Sequence, residues 1–266
     1  MKDSLGDRMK VYENIEAQRK LIPLLPICVR LDGRSFSGWT NKLDRPYDKR
    51  LHDIMVGTTI SLVQESNARI GYTESDEISL IIYSDNIQSE VYFGGRIQKI
   101  VSTLSALASL YFDIYKRIHL PDYKIESKPS FDCRVWNVPN KEEAVNTILW
   151  RELDATKNSI QQASRYYFSH NQLLNKNTSE MNEMLHQIGI NWNDYPDWFK
   201  RGTYVQRKVV ETPFTPEEID LLPPKHNARK DPTIVTKRNI VNKVEMPPLA
   251  KISNRVSVIF DGENPI

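Results

Sequence analysis

Two carboxylates stand at the ends of apolar runs in this chain. The stretch "ICVRLDGRSF" (residues 27–36) sets Asp32 and Gly33 after one run, and "GYTESDEISLIIY" (residues 71–83) sets Asp76 between two more. Hard divalent cations take oxygen ligands, and Mg²⁺ usually accepts one or two carboxylates plus substrate phosphates. Two bridging carboxylates can hold two ions roughly 3.5–4 Å apart, as two-metal phosphoryl transfer needs. Gly33 offers its backbone carbonyl with no side chain to block approach. Glu77 is the next acid along, with its side chain expected to point to the face opposite that of Asp76. An Asp–Gly pair is also ordinary turn chemistry, so the metal reading requires the two strand ends to meet.

Phosphates also need cations. Arg45 lies before the first long helix, and Arg96 and Lys99 lie at the start of the second, spaced so that they share a helix face. A helix N-terminus would add its dipole to theirs in holding a triphosphate; equally, three such residues can simply be solvated. Between Lys225 and Lys243 six basic residues (Lys225, Arg229, Lys230, Lys237, Arg238, Lys243) meet one acid, Asp231, a local charge of +5. That stretch is either a solvated face or a contact for a polyanion, of which nucleic acid is the usual one.

The elements that must position these groups come from a chain of 266 residues, 39% hydrophobic and 9% aromatic with only ten glycines, which favours a real core over disorder. The net charge of +2 is too balanced to decide a partner alone. No apolar run approaches the roughly 18–20 residues of a membrane span, and the charged start lacks a secretory signal's apolar heart. Cys28 and Cys133 sit in apolar strand-like runs with no metal-knuckle spacing, as buried free thiols do in a reducing cytoplasm.

Residues 5–20 read as a short polar helix, and "IPLLP" breaks the chain before the strand "ICVRL". Leu51, Ile54, Met55, Thr58 and Leu62 recur at helical spacing between Tyr47 and Asn67. "ARIGY" and "EISLIIY" read as paired strands across the acidic "TESD" turn. A second amphipathic helix over "GRIQKIVSTLSALASLYFDIYKR" is followed by the strand "SFDCRVWNVP". A long helix from Lys141 and a shorter one at "SEMNEMLHQIG" come next. The order β-α-β-β-α-β predicts an α+β fold, a ferredoxin-like antiparallel sheet with helices on one face. The expected organisation is a palm core (1–140), a helical segment completing it (141–210) and an extended basic C-terminal arm packed on the core (211–266). The Pro-rich remainder from Asp194 reads as mostly irregular, ending in a strand-like "RVSVIF".

"RLDGRSF", "DRPYDKRLHDIM", "GYTESDEISLIIY", "FGGRIQKIVSTLSA", "FDCRVW", "WRELDATKNSIQ" and "FKRGTYV" occur in the order seen in the tRNA-His guanylyltransferase family, which the chain resembles over roughly residues 5–210. The resemblance implies a polymerase/cyclase-like palm and synthesis in the 3′-to-5′ direction. ATP would activate the 5′ end of tRNA, and the 3′-hydroxyl of an incoming nucleotide, usually GTP, would attack it. It implies that Asp32, Gly33 and Asp76 hold two Mg²⁺ ions, with Glu77 in the same catalytic signature. Nucleotide contacts would fall to Ser75, Arg45, Arg96 and Lys99, joined by Arg30, Arg34 and Asn158. Arg229, Lys230, Lys237 and Arg238 form the expected RNA contact, and family members are commonly homo-tetramers.

Members strict for tRNA-His carry "HINNLYN" on the long helix, whereas this chain reads "TKNSIQQ", with Thr156 in place of the histidine and Asn158 kept. That resembles the template-dependent branch, which repairs truncated tRNA 5′ ends by base pairing. A palm-type nucleotide cyclase is the alternative of the same architecture, but no "GGDEF"-type signature is present and a small substrate gives the basic arm no purpose. A non-catalytic RNA-binding module would keep the arm and not need Asp32 or Asp76.

Overall fold

The computed structural model describes residues 4–89, 91–125, 127–231 and 233–266. In chain order its elements are α1 (Ser4–Ala17), β1 (Ile27–Arg34), α2 (Phe36–Trp39), α3 (Lys49–Ser66), β2 (Ile70–Glu74), β3 (Glu77–Ile82), α4 (Ile97–His119) and β4 (Ser130–Asn137). There follow α5 (Lys141–Tyr167), α6 (His170–Leu173), α7 (Thr178–Gln187), α8 (Asp197–Arg201), β5 (Thr203–Pro213), α9 (Pro216–Leu221), β6 (Val235–Val244) and α10 (Arg255–Asp261). The first four strands pair antiparallel in the order β4-β1-β3-β2, the ferredoxin-like palm.

Strand alternation divides the core. Val29 and Leu31 face α3 and α4, where Ile54, Leu62, Ile100, Leu104 and Phe112 are buried with Phe36 and Trp39. Cys28, Ile70, Tyr72 and Ile81 face the other way, under Ala144, Val145 and Ile148 of α5 and Val258, Ile259 and Phe260 of α10. The two helices of the palm unit thus share one face, while α5 and α10 cover part of the second, which a one-face layout does not include. Each long helix starts where its sequence says. Asp48 caps α3 by accepting from the amides of Arg50 and Leu51, and Asn140 caps α5 from the amide of Glu143.

The C-terminal expectation needs correction. Residues 211–266 are not an irregular arm, because β5 pairs with β2 and then runs ten residues beside β6, from Tyr204↔Val244 to Pro213↔Val235. The expected boundary at 210/211 falls inside β5, so one six-stranded sheet crosses it. Pro216, Pro223 and Pro224 sit in the hairpin's long connection, where a missing amide costs the ladder nothing, while Pro213 ends β5 and Pro247 and Pro248 follow β6. "RVSVIF" is helix α10, not a strand. A short apolar run has no period to separate strand from helix, and burial of Val258, Ile259 and Phe260 decides it.

Candidate active site

β1 and β3 are neighbours, and Asp32 pairs across the ladder with Glu77 and, on the other side, with Asp132. The two-residue connection Ser75–Asp76 joins β2 to β3 at that same sheet end, with Ser75 in the left-handed region (φ 50°) and its hydroxyl donating to Asp76 Oδ1 at 3.2 Å. Asp76 folds over the backbone of Gly33: a Cβ at residue 33 would lie 2.7 Å from Asp76 Oδ2 and 2.5 Å from the Phe36 ring. Glycine is therefore required by the close approach itself. Burial raises the Asp76 pKa, and the charge of Asp32 adds to that rise, whereas the Ser75 hydroxyl opposes it. Two carboxylates close enough to repel, next to the unshielded backbone of a glycine, are an oxygen donor set that suits Mg²⁺. Among the described residues no cluster of three His, Cys, Asp or Glu side chains could itself hold a metal.

Glu77, expected in the same catalytic signature, is held apart from this pair by two arginines. Arg151 of α5 donates to Glu77 Oε1 at 2.5 Å and Oε2 at 2.8 Å, and Arg30 approaches Oε2 at 2.6 Å. The carboxylate is 5% exposed, so both oxygens are committed to a buried ion network. Burial raises its pKa, and the Arg151 and Arg30 guanidiniums oppose that rise. Arg30 pairs with Glu77 through one Nη and lies 5.8 Å from the centroid of the Trp150 ring, while its buried Nε has no partner among the described residues. Glu74, the last residue of β2, is pushed up to about 8 by burial and by the charge of Glu77, against the pull of Arg151. At neutral pH it is a carboxylic acid able to donate a hydrogen bond.

Beside the carboxylates lies a pocket that brings Arg45, Ser75 and Asn158 together, three of the nucleotide-contact candidates. Its apolar wall comes from Leu51 and Met55 of α3 and from Trp198 and Phe199 of α8, and Glu74 also lines it. Arg45 spends one nitrogen on Thr40 O at 3.0 Å. Asp48, the N-cap of α3, lines the same pocket, with its carboxylate already taken by the amides of Arg50 and Leu51 and by the Arg50 guanidinium. Arg34 is exposed at the end of β1. Neither Trp198 nor His52 was legible as a site residue, because their stack (centroids 4.3 Å apart, planes at 17°) joins elements distant in sequence. Asp132 and Arg151 were missed for the same reason.

Burial pushes His52 down to about 4, helped by Lys243 and opposed by Asp53. Between its ordinary value of 6.5 and 4 the unfolded chain binds a proton that the folded chain excludes. This contribution to stability is complete above pH 6.5 and is lost as pH falls, by roughly 3 kcal/mol. Glu74 has the opposite slope, so the test is a difference. Against His52→Phe, which keeps a ring on Trp198, the parent should lose ground in urea unfolding as pH drops from 6.5 to 4. Parallel pH profiles would contradict this reading.

Within this chain Arg96 and Lys99 stand apart from the site. α4 begins beyond the far end of β3, so Arg96 lines a cleft with Ile27 and Ile82, and Lys99 the adjoining cleft with Glu13 and Lys20. Their i, i+3 spacing is real, but Arg96 is the N-cap and its Nε donates to Phe93 O. The C-terminal cations divide as well. Arg238 is locked to Glu218 and donates to Thr212 Oγ1 at 2.6 Å, and Arg229 donates to the carbonyls of Asp220 and Leu222. Those two hold the hairpin together, since the linear count of +5 omitted the acids that folding brings opposite. Lys230 and Lys237 stay exposed, the latter 3.9 Å from Glu211. Burial raises both thiols, Cys28 to about 11 and Cys133 to about 12, so neither is a nucleophile at neutral pH. Among the described residues no helix is long and apolar enough to cross a membrane.

The family model "Thg1: tRNAHis guanylyltransferase" matches residues 6–139. An uncharacterized protein of Acanthamoeba polyphaga mimivirus is 31% identical over 232 residues, 79% of each chain. The tRNA(His) guanylyltransferase of Neurospora crassa is 29% identical over 222 residues, 76% of this chain and 73% of that protein. A bacterial tRNA(His) guanylyltransferase (Thg1)-like protein solved in complex with ATP is 36% identical, with a TM-score of 0.72 over 76% of this chain and 88% of that one. One solved in complex with GTP is 30% identical, with a TM-score of 0.69 over 94% and 95% of the two chains.

Proposed function

The chain belongs to the tRNA-His guanylyltransferase family, and from that premise we propose that it adds nucleotides to the 5′ end of tRNA in the 3′-to-5′ direction after ATP-dependent activation. One observation carries this reading: Asp76 closes over the glycine backbone beside Asp32, next to a pocket lined by Arg45, Ser75 and Asn158. Related bacterial proteins solved with ATP and with GTP support both nucleotides as substrates.

Asp32, Asp76 and the Gly33 carbonyl would hold two Mg²⁺ ions, which when bound polarise phosphoryl oxygens and offset developing charge. Arg45 would attract the triphosphate to the pocket. The Trp198, Leu51 and Met55 wall gives a base an apolar face, and the Glu74 acid offers it a proton to share. Arg151 and Arg30 act through Glu77, fixing the start of β3 so that the Ser75–Asp76 connection stays over Gly33. Lys230 and Lys237 remain available for RNA phosphates. Leu110, Ile114 and Ile118, an exposed apolar row four residues apart on α4, support assembly into a homo-oligomer such as the family's tetramer.

Thr156 spends its hydroxyl on Glu152 O at 3.1 Å, inside its own helix, which suits a chain that makes no dedicated tRNA-His contact there. Addition is expected to follow Watson–Crick pairing with the opposite acceptor strand across several tRNA species. Truncated tRNAs with the opposing base varied, each nucleotide offered singly, test this; extension of tRNA-His alone, with G whatever lies opposite, would refute it. The activation step has its own test. Monophosphorylated tRNA given ATP and Mg²⁺ without other nucleotides should gain a 5′-adenylyl group and release pyrophosphate. Absence of both products would sink the proposed chemistry.

A further inference from the structure

At the end of the sheet away from Asp32, three arginines line one cleft: Arg69 just before β2, Arg207 in β5 and Arg96 at the α4 N-cap. Each is half-buried, and among the described residues no Asp or Glu lines the cleft or forms an ion pair with any of the three. Their Nε atoms are accounted for. Arg69 donates to Tyr83 O, Arg207 to Ala68 O and Arg96 to Phe93 O, at 3.1–3.2 Å. The terminal nitrogens are not: beyond one 3.4 Å contact from Arg207 to Asn239 Oδ1, these have no protein acceptor among the described residues. The buried orphan atoms do not include them, so these forks reach solvent in the cleft.

Half-buried cations with no counter-charge among the described residues are costly, and a guanidinium fork whose Nη groups reach solvent matches the oxygens of a phosphate. Burial lowers the Arg207 pKa and the nearby charge of Arg69 lowers it further, so these cations crowd each other. An anion between them would relieve both. Lys20 and Lys99 continue the basic line into the adjoining cleft, where Glu13 is the acid.

We infer that the cleft between Arg69, Arg96 and Arg207 is a second phosphate-binding site, separate from the catalytic end. Ile27 and Ile82 line it, five ladder positions from Asp32, a separation of about 17 Å at roughly 3.3 Å per residue. One nucleotide with its phosphates at Asp32 and Asp76 does not reach that far within this chain. The phosphate comes from the tRNA backbone or from a second free triphosphate. The tRNA source rests on the function proposed above; the site itself does not.

The test is equilibrium binding without turnover. The parent and the double variant Arg69→Gln/Arg207→Gln are titrated with a 5′-truncated tRNA over a salt series, and separately with ATP and with GTP. For tRNA phosphates, the variant should bind tRNA about tenfold more weakly at low salt, with the log–log slope reduced by roughly 1.4–1.8 for two lost contacts. Weaker ATP or GTP binding with unchanged tRNA binding would assign the site to a free triphosphate. Unchanged binding in all three titrations would overturn the inference and leave the arginines as strand-end caps. If the variant does not fold, phenylglyoxal labelling of the parent decides instead. Protection of Arg69 and Arg207 by tRNA or by nucleotide is expected, and equal labelling with and without both would overturn it. Binding lost by the variant in a chain that cannot activate tRNA would refute the catalytic reading while leaving this site standing.

Discussion

Asparagine at Asp32 or at Asp76 is expected to reduce nucleotide addition about a thousandfold or more, the loss of roughly 4 kcal/mol of transition-state stabilisation. Asparagine is nearly isosteric and keeps the strand ends in place, but it removes the negative charge that a divalent cation needs. Because Asp32 is half-exposed, 4.0 Å from Arg30 and 3.9 Å from Arg134, and Asp76 accepts from the Ser75 hydroxyl beside it, the folded state should survive either change. Gly33→Ala should fail in the same assay for a different reason. Its added methyl would sit 2.7 Å from Asp76 Oδ2 and push the carboxylate off the backbone. Near-normal turnover by either purified, folded asparagine variant would remove both carboxylates from the chemistry.

A comparable effect, on stability rather than rate, is expected at Arg151. Its guanidinium is 6% exposed and holds Glu77 through two bonds, with Asp154 at 3.1 Å and Glu74 at 3.6 Å. Arg151→Met fills similar volume but leaves the buried Glu77 with Arg30 alone, and breaking a buried pair this way costs about 3–5 kcal/mol. The double variant Arg151→Met/Glu77→Gln should recover part of that loss, since the buried carboxylate charge is then gone and Arg30 keeps Asp32 at 4.0 Å. Urea unfolding of the two variants beside the parent reads this directly. An Arg151→Met protein within about 1 kcal/mol of the parent would mean that the network is not the buried pair described here.

What the sequence made legible was what local pattern can carry. The palm order followed from periodicity, since α3 and α4 are amphipathic and β3 is a fully buried run flanked by turn residues. Asp32, Gly33 and Asp76 were legible because ferredoxin-like pairing puts β1 beside β3. Partnership across the fold was not. Nothing in "SDE" says that one carboxylate lies open and its neighbour is clamped by an arginine 74 residues later. The direction of α4 placed Arg96 and Lys99 at the wrong end of the sheet, which helical spacing alone does not reveal. The β5–β6 ribbon was hidden for a related reason. Its outer strand is mostly solvated and polar, so its alternation has little hydrophobic contrast.

The measurement that bears most directly on the central claim is the identity of the RNA product. A tRNA lacking its first nucleotide, with C opposite the missing position, 5′-monophosphorylated and labelled internally, is incubated with the purified protein, ATP, GTP and Mg²⁺, and both ends of the product are mapped. The expected product is longer by at least one nucleotide at the 5′ end, carries a 5′-triphosphate and keeps its original 3′ end. An RNA unchanged at its 5′ end, or extended only at its 3′ end, would contradict the account.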